Sequence, residues 1–138
     1  MKVIFVGSNP SNKNTDPDIP FLGTKSHTVL MSWIKAMNVT DYELMNVWSR
    51  PTPKNRGLNA KEIKLGSTWL KTALGNLIVP YIVVALGKTA EKSCKLASIN
   101  ALTLPHPSPR NLLTNDKKMI NLLLNSNRKT IESLRKNA

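Results

Sequence analysis

The stretch YIVVALGKTAEKSCKLA, Tyr81–Ala97, decides the fold. Six apolar residues run without a break to Gly87, and a polar, helix-forming segment opens directly after the glycine. An unbroken apolar run suits a strand buried on both faces, which is the habit of a parallel sheet. The same grammar recurs on either side. Near the start, KVIFV (Lys2–Val6) stops at Gly7 and leads through the polar, proline-bearing loop SNPSNKNTDPDIPFLG into a helix. That helix can be capped at Thr24 or Ser26 and carries Val29, Leu30, Trp33, Ile34 and Met37 at helical spacing. YELMNVW (Tyr42–Trp48) reads as the second strand. After SRPTPKNRG, Asn59 caps a helix with Glu62 as its capping-box partner. Ile63, Leu65, Trp69, Leu70, Ala73, Leu74 and Leu77 form the expected apolar face of that helix. NALTLP (Asn100–Pro105) is a short fourth strand. From about Leu113 a basic amphipathic helix carries Ile120, Leu123, Leu124, Ile131 and Leu134.

The order βαβαβαβα requires crossover helices, so the expected fold class is α/β: a three-layer αβα arrangement around a four-stranded, mainly parallel central sheet, in one domain over residues 1–138. Ligands of such sheets bind beyond the carboxyl ends of the strands. Those ends here are GSNPS, NVWSRPTP, ALGK and HPSPRN, so every unusual stretch falls on one edge.

Composition narrows the function classes. The chain has 138 residues, 41% of them hydrophobic, enough for a real core. Twenty Lys and Arg stand against eight Asp and Glu, a formal net charge of +12. The first 69 residues hold nine basic and five acidic groups, so the excess is not a tail. A basic domain of this kind favours a polyanion, nucleic acid first; the bland alternative is a charge that serves solubility. Cys94 is the sole cysteine, which excludes an internal disulfide and a cysteine metal site. With two histidines and scattered acids, no metal and no cofactor are expected. No apolar run approaches the ~20 residues of a membrane span, and the N-terminus reads as a strand and not a signal peptide. A cytoplasmic or nucleoid-associated monomer is the expectation.

LPHPSPRN (Leu104–Asn111) cannot be helix: its prolines lack N–H groups and push the residues before them, His106 included, towards extended geometry. The loop therefore holds an imidazole, a hydroxyl and a guanidinium in a stiff frame. This motif, with GSNPS after the first strand, resembles the uracil-DNA glycosylase superfamily, which carries G-x-[ND]-P and H-P-S motifs at those places. NVWSRPTP, GLNAKEIKLGSTWL and PYIVVALGKTA look like the middle of its mismatch-specific uracil/thymine branch. HPSPRN is closer to the single-strand-selective monofunctional branch. The likeness runs from Lys2 to about Asn111.

The resemblance implies a monofunctional DNA glycosylase that takes up uracil or a related deaminated or modified base, in single-stranded or duplex DNA, and hydrolyses its glycosidic bond. The alternative is a weak or inactive member that binds nucleic acid or a nucleotide. Such chemistry needs an extruded base, a pocket for its edge, a donor for the departing anion and a placed water. By resemblance, His106 is the donor and Asn9 orients the water. An amide cannot act as a general base, so slow chemistry is expected. Phe21 would stack on the base and Asn46 would read its edge. Gly7, Ser8 and Pro10 would shape the base pocket. Ser11, Ser26, Lys88, Ser108 and Arg110 would meet DNA, with Leu112 or Leu113 as the wedge filling the gap left by the base. Against these stand plainer readings: an Asn-Pro turn at Asn9, a core phenylalanine at Phe21, a turn or capping role for Asn46, caps at Ser26 and Ser108, and the apolar face of the last helix at Leu112 and Leu113. His27 reads as structural, and ALGKTA lacks the full pattern of a phosphate loop.

Overall fold

A computed structural model describes residues 1–11 and 20–137. Half of the loop read at SNPSNKNTDPDIPFLG, residues 12–19, lies outside them. The strands are β1 (Lys2–Gly7), β2 (Tyr42–Asn46), β3 (Tyr81–Leu86) and β4 (Ala101–Leu104). The helices are α1 (Lys25–Ala36), α2 (Ala60–Gly75), α3 (Lys88–Leu96), α4 (Leu112–Asn115) and α5 (Lys117–Lys136), with a 3₁₀ turn at Pro53–Asn55. The strands form one sheet in the order β2-β1-β3-β4, and all three pairings are parallel.

Two apolar layers sandwich the sheet. On one face Val3, Phe5, Ile82 and Val84 meet Leu30, Trp33 and Ile34 of α1 and Ile120, Leu124 and Ile131 of α5. On the other, Ile4, Val6, Val83 and Ala85 meet Leu70 and Leu74 of α2 and Ala90 and Cys94 of α3. The strictly alternating assignment explains why β1 and β3 read as continuous apolar runs: both faces of each strand are covered. Burial and nearby Glu91 push the Cys94 thiol up to about 11, so it is a packed hydrophobe and not a nucleophile.

Local chemistry sets the helix ends. Thr24 caps α1, its hydroxyl accepting from the His27 N–H at 3.2 Å. Ser26 lies inside the first turn, so it is not the cap. Asn59 and Glu62 form the expected reciprocal box at 2.8 and 2.9 Å, and Arg56 adds an ion pair to Glu62 at 2.7 Å. The arginine and the Asn59 N–H together hold the Glu62 carboxyl below its ordinary range.

Four expectations are corrected. β2 stops at Asn46, although the Val47 and Trp48 N–H groups still reach the carbonyls of Gly7 and Ser8 at 2.9 and 2.8 Å beyond the strand's end. Leu65 and Trp69 do not join the buried face of α2 but stand about half exposed. The final helix is broken: Asp116 ends α4 and caps α5 by accepting from the Met119 N–H. Leu134 is exposed on α5, leaving Ile120, Leu124 and Ile131 as its buried stripe.

Candidate active site

The chain runs from β1 outward to β2 and returns to place β3 on the other side of β1, so the topological switch lies between β1 and β3. Ligand sites of open α/β sheets lie there, beyond the carboxyl ends. Gly7 and Gly87 end these two strands, and both are pressed against site residues. A Cβ on Gly7 would stand 2.7 Å from Cζ of Phe21 and 2.8 Å from Oδ1 of Asn46. A Cβ on Gly87 would stand 3.1 Å from the His106 Cβ. Gly87 also has φ +90°, a backbone region that side chains resist.

Phe21 joins the two sides. Its ring packs on Gly7 and lies 5.9 Å, centroid to centroid, from the tilted imidazole of His106. The residue adopts φ +68°, uncommon for a bulky side chain. The Thr24 N–H and hydroxyl hold that conformation by donating to the Phe21 carbonyl at 3.0 and 2.6 Å. Four sequence-separated groups, Gly7, Phe21, Asn46 and His106, are thus brought together.

Asn46 ends β2 opposite Gly7 in the parallel register. It is 8% exposed, and its buried Oδ1 accepts no hydrogen bond among the described residues. An unpaired buried amide oxygen costs roughly 1–3 kcal/mol and marks a place where a donor from outside would be stabilised. A capping role is thereby excluded for its oxygen.

His106 is fixed in both position and tautomer. The Ser108 N–H donates to Nδ1 at 3.1 Å, so Nδ1 carries the lone pair and the proton of the neutral ring sits on Nε2. Burial pushes the imidazole below its ordinary pKa, which keeps it neutral at neutral pH. The His106 carbonyl accepts from the Thr114 hydroxyl at 2.6 Å. The group is therefore a neutral, oriented Nε2–H donor.

Asn9 is half-buried, and its hydrogen bonds stay in its own loop. Its Oδ1 accepts from the Ser8 hydroxyl at 3.1 Å, and its Nδ2 donates to the Pro10 carbonyl at 3.3 Å. Pro10 is fully buried and anchors the loop. Ser108 serves the turn as well: its Oγ accepts from the Arg110 N–H at 3.2 Å. Ser11 and Ser26 are half-buried, while Lys88 and Arg110 are exposed. Leu112 and Leu113 are 86% and 52% exposed on α4, so they are not the start of the last helix's buried face. Among the described residues no three of His, Cys, Asp or Glu gather where they could hold a metal ion. No described helix is long and apolar enough to cross a membrane.

A cavity of about 540 Å³ lies between α2 and α3 and touches none of these groups. Its lining of Lys64, Lys71, Lys92 and aliphatic side chains offers neither a base-reading amide nor an imidazole, so size alone does not make it the site. Two smaller cavities, each about 270 Å³, flank Asn46. Sequence reasoning missed Trp69, which lines both; its helical spacing had assigned it to the core.

Residues 1–128 match the family model described as the Uracil DNA glycosylase superfamily. No curated protein matches the chain.

Proposed function

The chain belongs to the uracil DNA glycosylase superfamily, whose members are generally DNA glycosylases, and on that premise we propose that it is a monofunctional glycosylase removing uracil or a closely related base from DNA. The observation that carries this reading is the tautomer of His106. A glycosidic bond breaks with its electron pair passing to the base, leaving positive character on the sugar and negative charge on the pyrimidine. A neutral Nε2–H, held by the Ser108 N–H on the opposite ring nitrogen, is aimed to donate as that charge grows. Because the donor is pre-oriented, its stabilisation increases in the transition state.

The other groups take matching parts. The base enters beside Phe21, whose ring offers a stacking face worth ~1–3 kcal/mol. The unsatisfied Oδ1 of Asn46 accepts an N–H from the pyrimidine edge, which uracil has and the oxygen otherwise lacks. Asn9 places the water that adds to the sugar carbon; the water's proton is passed to the departing base through solvent. Leu112 and Leu113 press into the stack, while Lys88 and Arg110 attract phosphates. No amine nucleophile is needed for this hydrolysis.

The test is abasic-site formation on oligonucleotides carrying uracil. His106→Ala should lower the single-turnover rate about 10²–10³-fold with little change in DNA binding. Purified protein that leaves uracil in place in both single-stranded and duplex DNA would refute the activity. One observation favours a second reading, binding without cleavage: both polar atoms of Asn9 are already engaged within its loop. Binding with no abasic product would select it.

A further inference from the structure

We propose that the cavity between the exit of β2 and helix α2 seats an unpaired nucleobase next to the extruded one, stacked on Trp69, so that the protein engages single-stranded DNA in preference to duplex. This inference rests on the reading of Asn46 as part of a base site. The cavity, about 270 Å³, lies between Asn46, Val47, half-buried Trp48 and Ser49 on one side and Leu65, Gly66 and Trp69 of α2 on the other. It falls just below the usual range for drug-sized ligands and suits a single heterocycle. Asn46 is the shared wall: its buried, unpartnered Oδ1 faces Gly7 and Phe21, while the residue also lines this cavity. A strand whose extruded base lies against Asn46 therefore carries its neighbour to the Trp69 side.

Trp69 is built as a platform. It is 50% exposed, although it sits on a helix whose other face is core. Gly66 lets α2 approach the chain leaving β2, since a Cβ there would overlap the Val47 side chain and lie 2.5 Å from its carbonyl oxygen. That contact fixes the helix and hence the indole above the cavity. Leu65, also half exposed, precedes Trp69 by one turn, and Lys61 precedes Leu65 by one more. Lys61 and Arg50 flank the cavity in sequence, are exposed, and form no ion pair among the described residues. The combination of an aromatic face with exposed cations is what single strands use: bases on the ring, phosphates on the charges. A base in duplex is already paired and stacked and has no face free for the indole. The companion cavity on the other side of Trp69 contains Glu43, which pairs with Lys2 at 3.7 Å, and suits a polyanion less.

The experiment uses DNA without uracil or thymine in the strand that binds: a single-stranded deoxycytidine oligonucleotide and its duplex with the complementary strand. Binding is followed by fluorescence anisotropy and by quenching of tryptophan emission. The single strand should bind more tightly than the duplex. Trp69→Ala should weaken single-strand binding roughly five- to a hundredfold and duplex binding little. Trp69→Phe should keep most of the affinity; because Trp48 lines the same cavity, quenching is read in Trp48→Phe, which leaves Trp69 as the indole at the site beside the buried Trp33. Equal single-strand affinity in wild type and Trp69→Ala, or an equal loss on both DNA forms, would overturn the proposal. Because nothing is cleaved, absence of excision would refute the glycosylase reading without touching this result.

Discussion

Gly7→Ala probes the meeting point of the site directly. The added Cβ would stand 2.7 Å from Phe21 Cζ, against an ordinary carbon–carbon contact of about 3.5–4.0 Å. The ring must retreat by roughly 1 Å. It has little room to do so: Phe21 is 7% exposed, its backbone is held at φ +68° by Thr24, and His106 lies behind it. The same Cβ would crowd Asn46 Oδ1 at 2.8 Å. Overpacking of this kind costs about 1–3 kcal/mol. For a chain of this length, at about 4 °C per kcal/mol, Tm should fall by roughly 4–12 °C. A melt followed by circular dichroism reads that fall. Single-turnover excision, measured well below the variant's Tm, should drop more than tenfold, because the displaced ring disturbs both the amide and the imidazole. Phe21→Leu in the same chain should recover part of the lost stability, since the two changes share one contact. A variant with unchanged Tm and unchanged rate would show that Gly7 and Phe21 are not packed as described.

Burial lowers the His106 pKa, so between that value and the ordinary ~6.5 the unfolded chain binds more protons than the folded one. The stabilising contribution of the neutral ring is therefore complete above about pH 6.5 and declines as the pH falls towards the lowered pKa. Protonation would also set Nδ1–H against the Ser108 N–H, so excision should fall on the same acid limb; imidazole NMR should show the Nε2–H tautomer at neutral pH and a midpoint below 6.5. Two glycines of α2 should respond in opposite directions in urea unfolding. Gly66→Ala, which meets the Val47 carbonyl, should lose about 1–3 kcal/mol, whereas Gly75→Ala, with nothing within 4 Å, should gain about 0.5–1 kcal/mol.

The sheet was legible because its signal is local and repeated. Continuous apolar runs ending in glycine marked β1 and β3, and Asn59 with Glu62 announced α2. The two-sided covering of the strands followed from those runs. What the residues could not reveal was geometry that depends on distant partners. Phe21 reads as a core residue by composition, yet its left-handed backbone turns the ring onto Gly7 and His106. Trp69 keeps helical spacing with buried neighbours but lies at the margin of the stripe, where a small rotation of the helix exposes it. The break at Asp116 was missed because apolar residues stand on both sides of it; a single extended residue, capping α5 at the Met119 N–H, separates the two helices. At His106 the histidine itself was evident; the proton's place on the ring needed the Ser108 N–H.

The ties around HPSPRN couple two parts that the chain separates. Thr114 holds the His106 carbonyl at 2.6 Å and Asn115 Nδ2 holds that of Pro109 at 2.6 Å, both from the short helix that presents Leu112 and Leu113. Loop and helix thus form one lever, with apolar tips at one end and the imidazole near its pivot. The exposed leucines and the imidazole's mounting are thereby one mechanical unit, tied at the His106 carbonyl by a single hydroxyl.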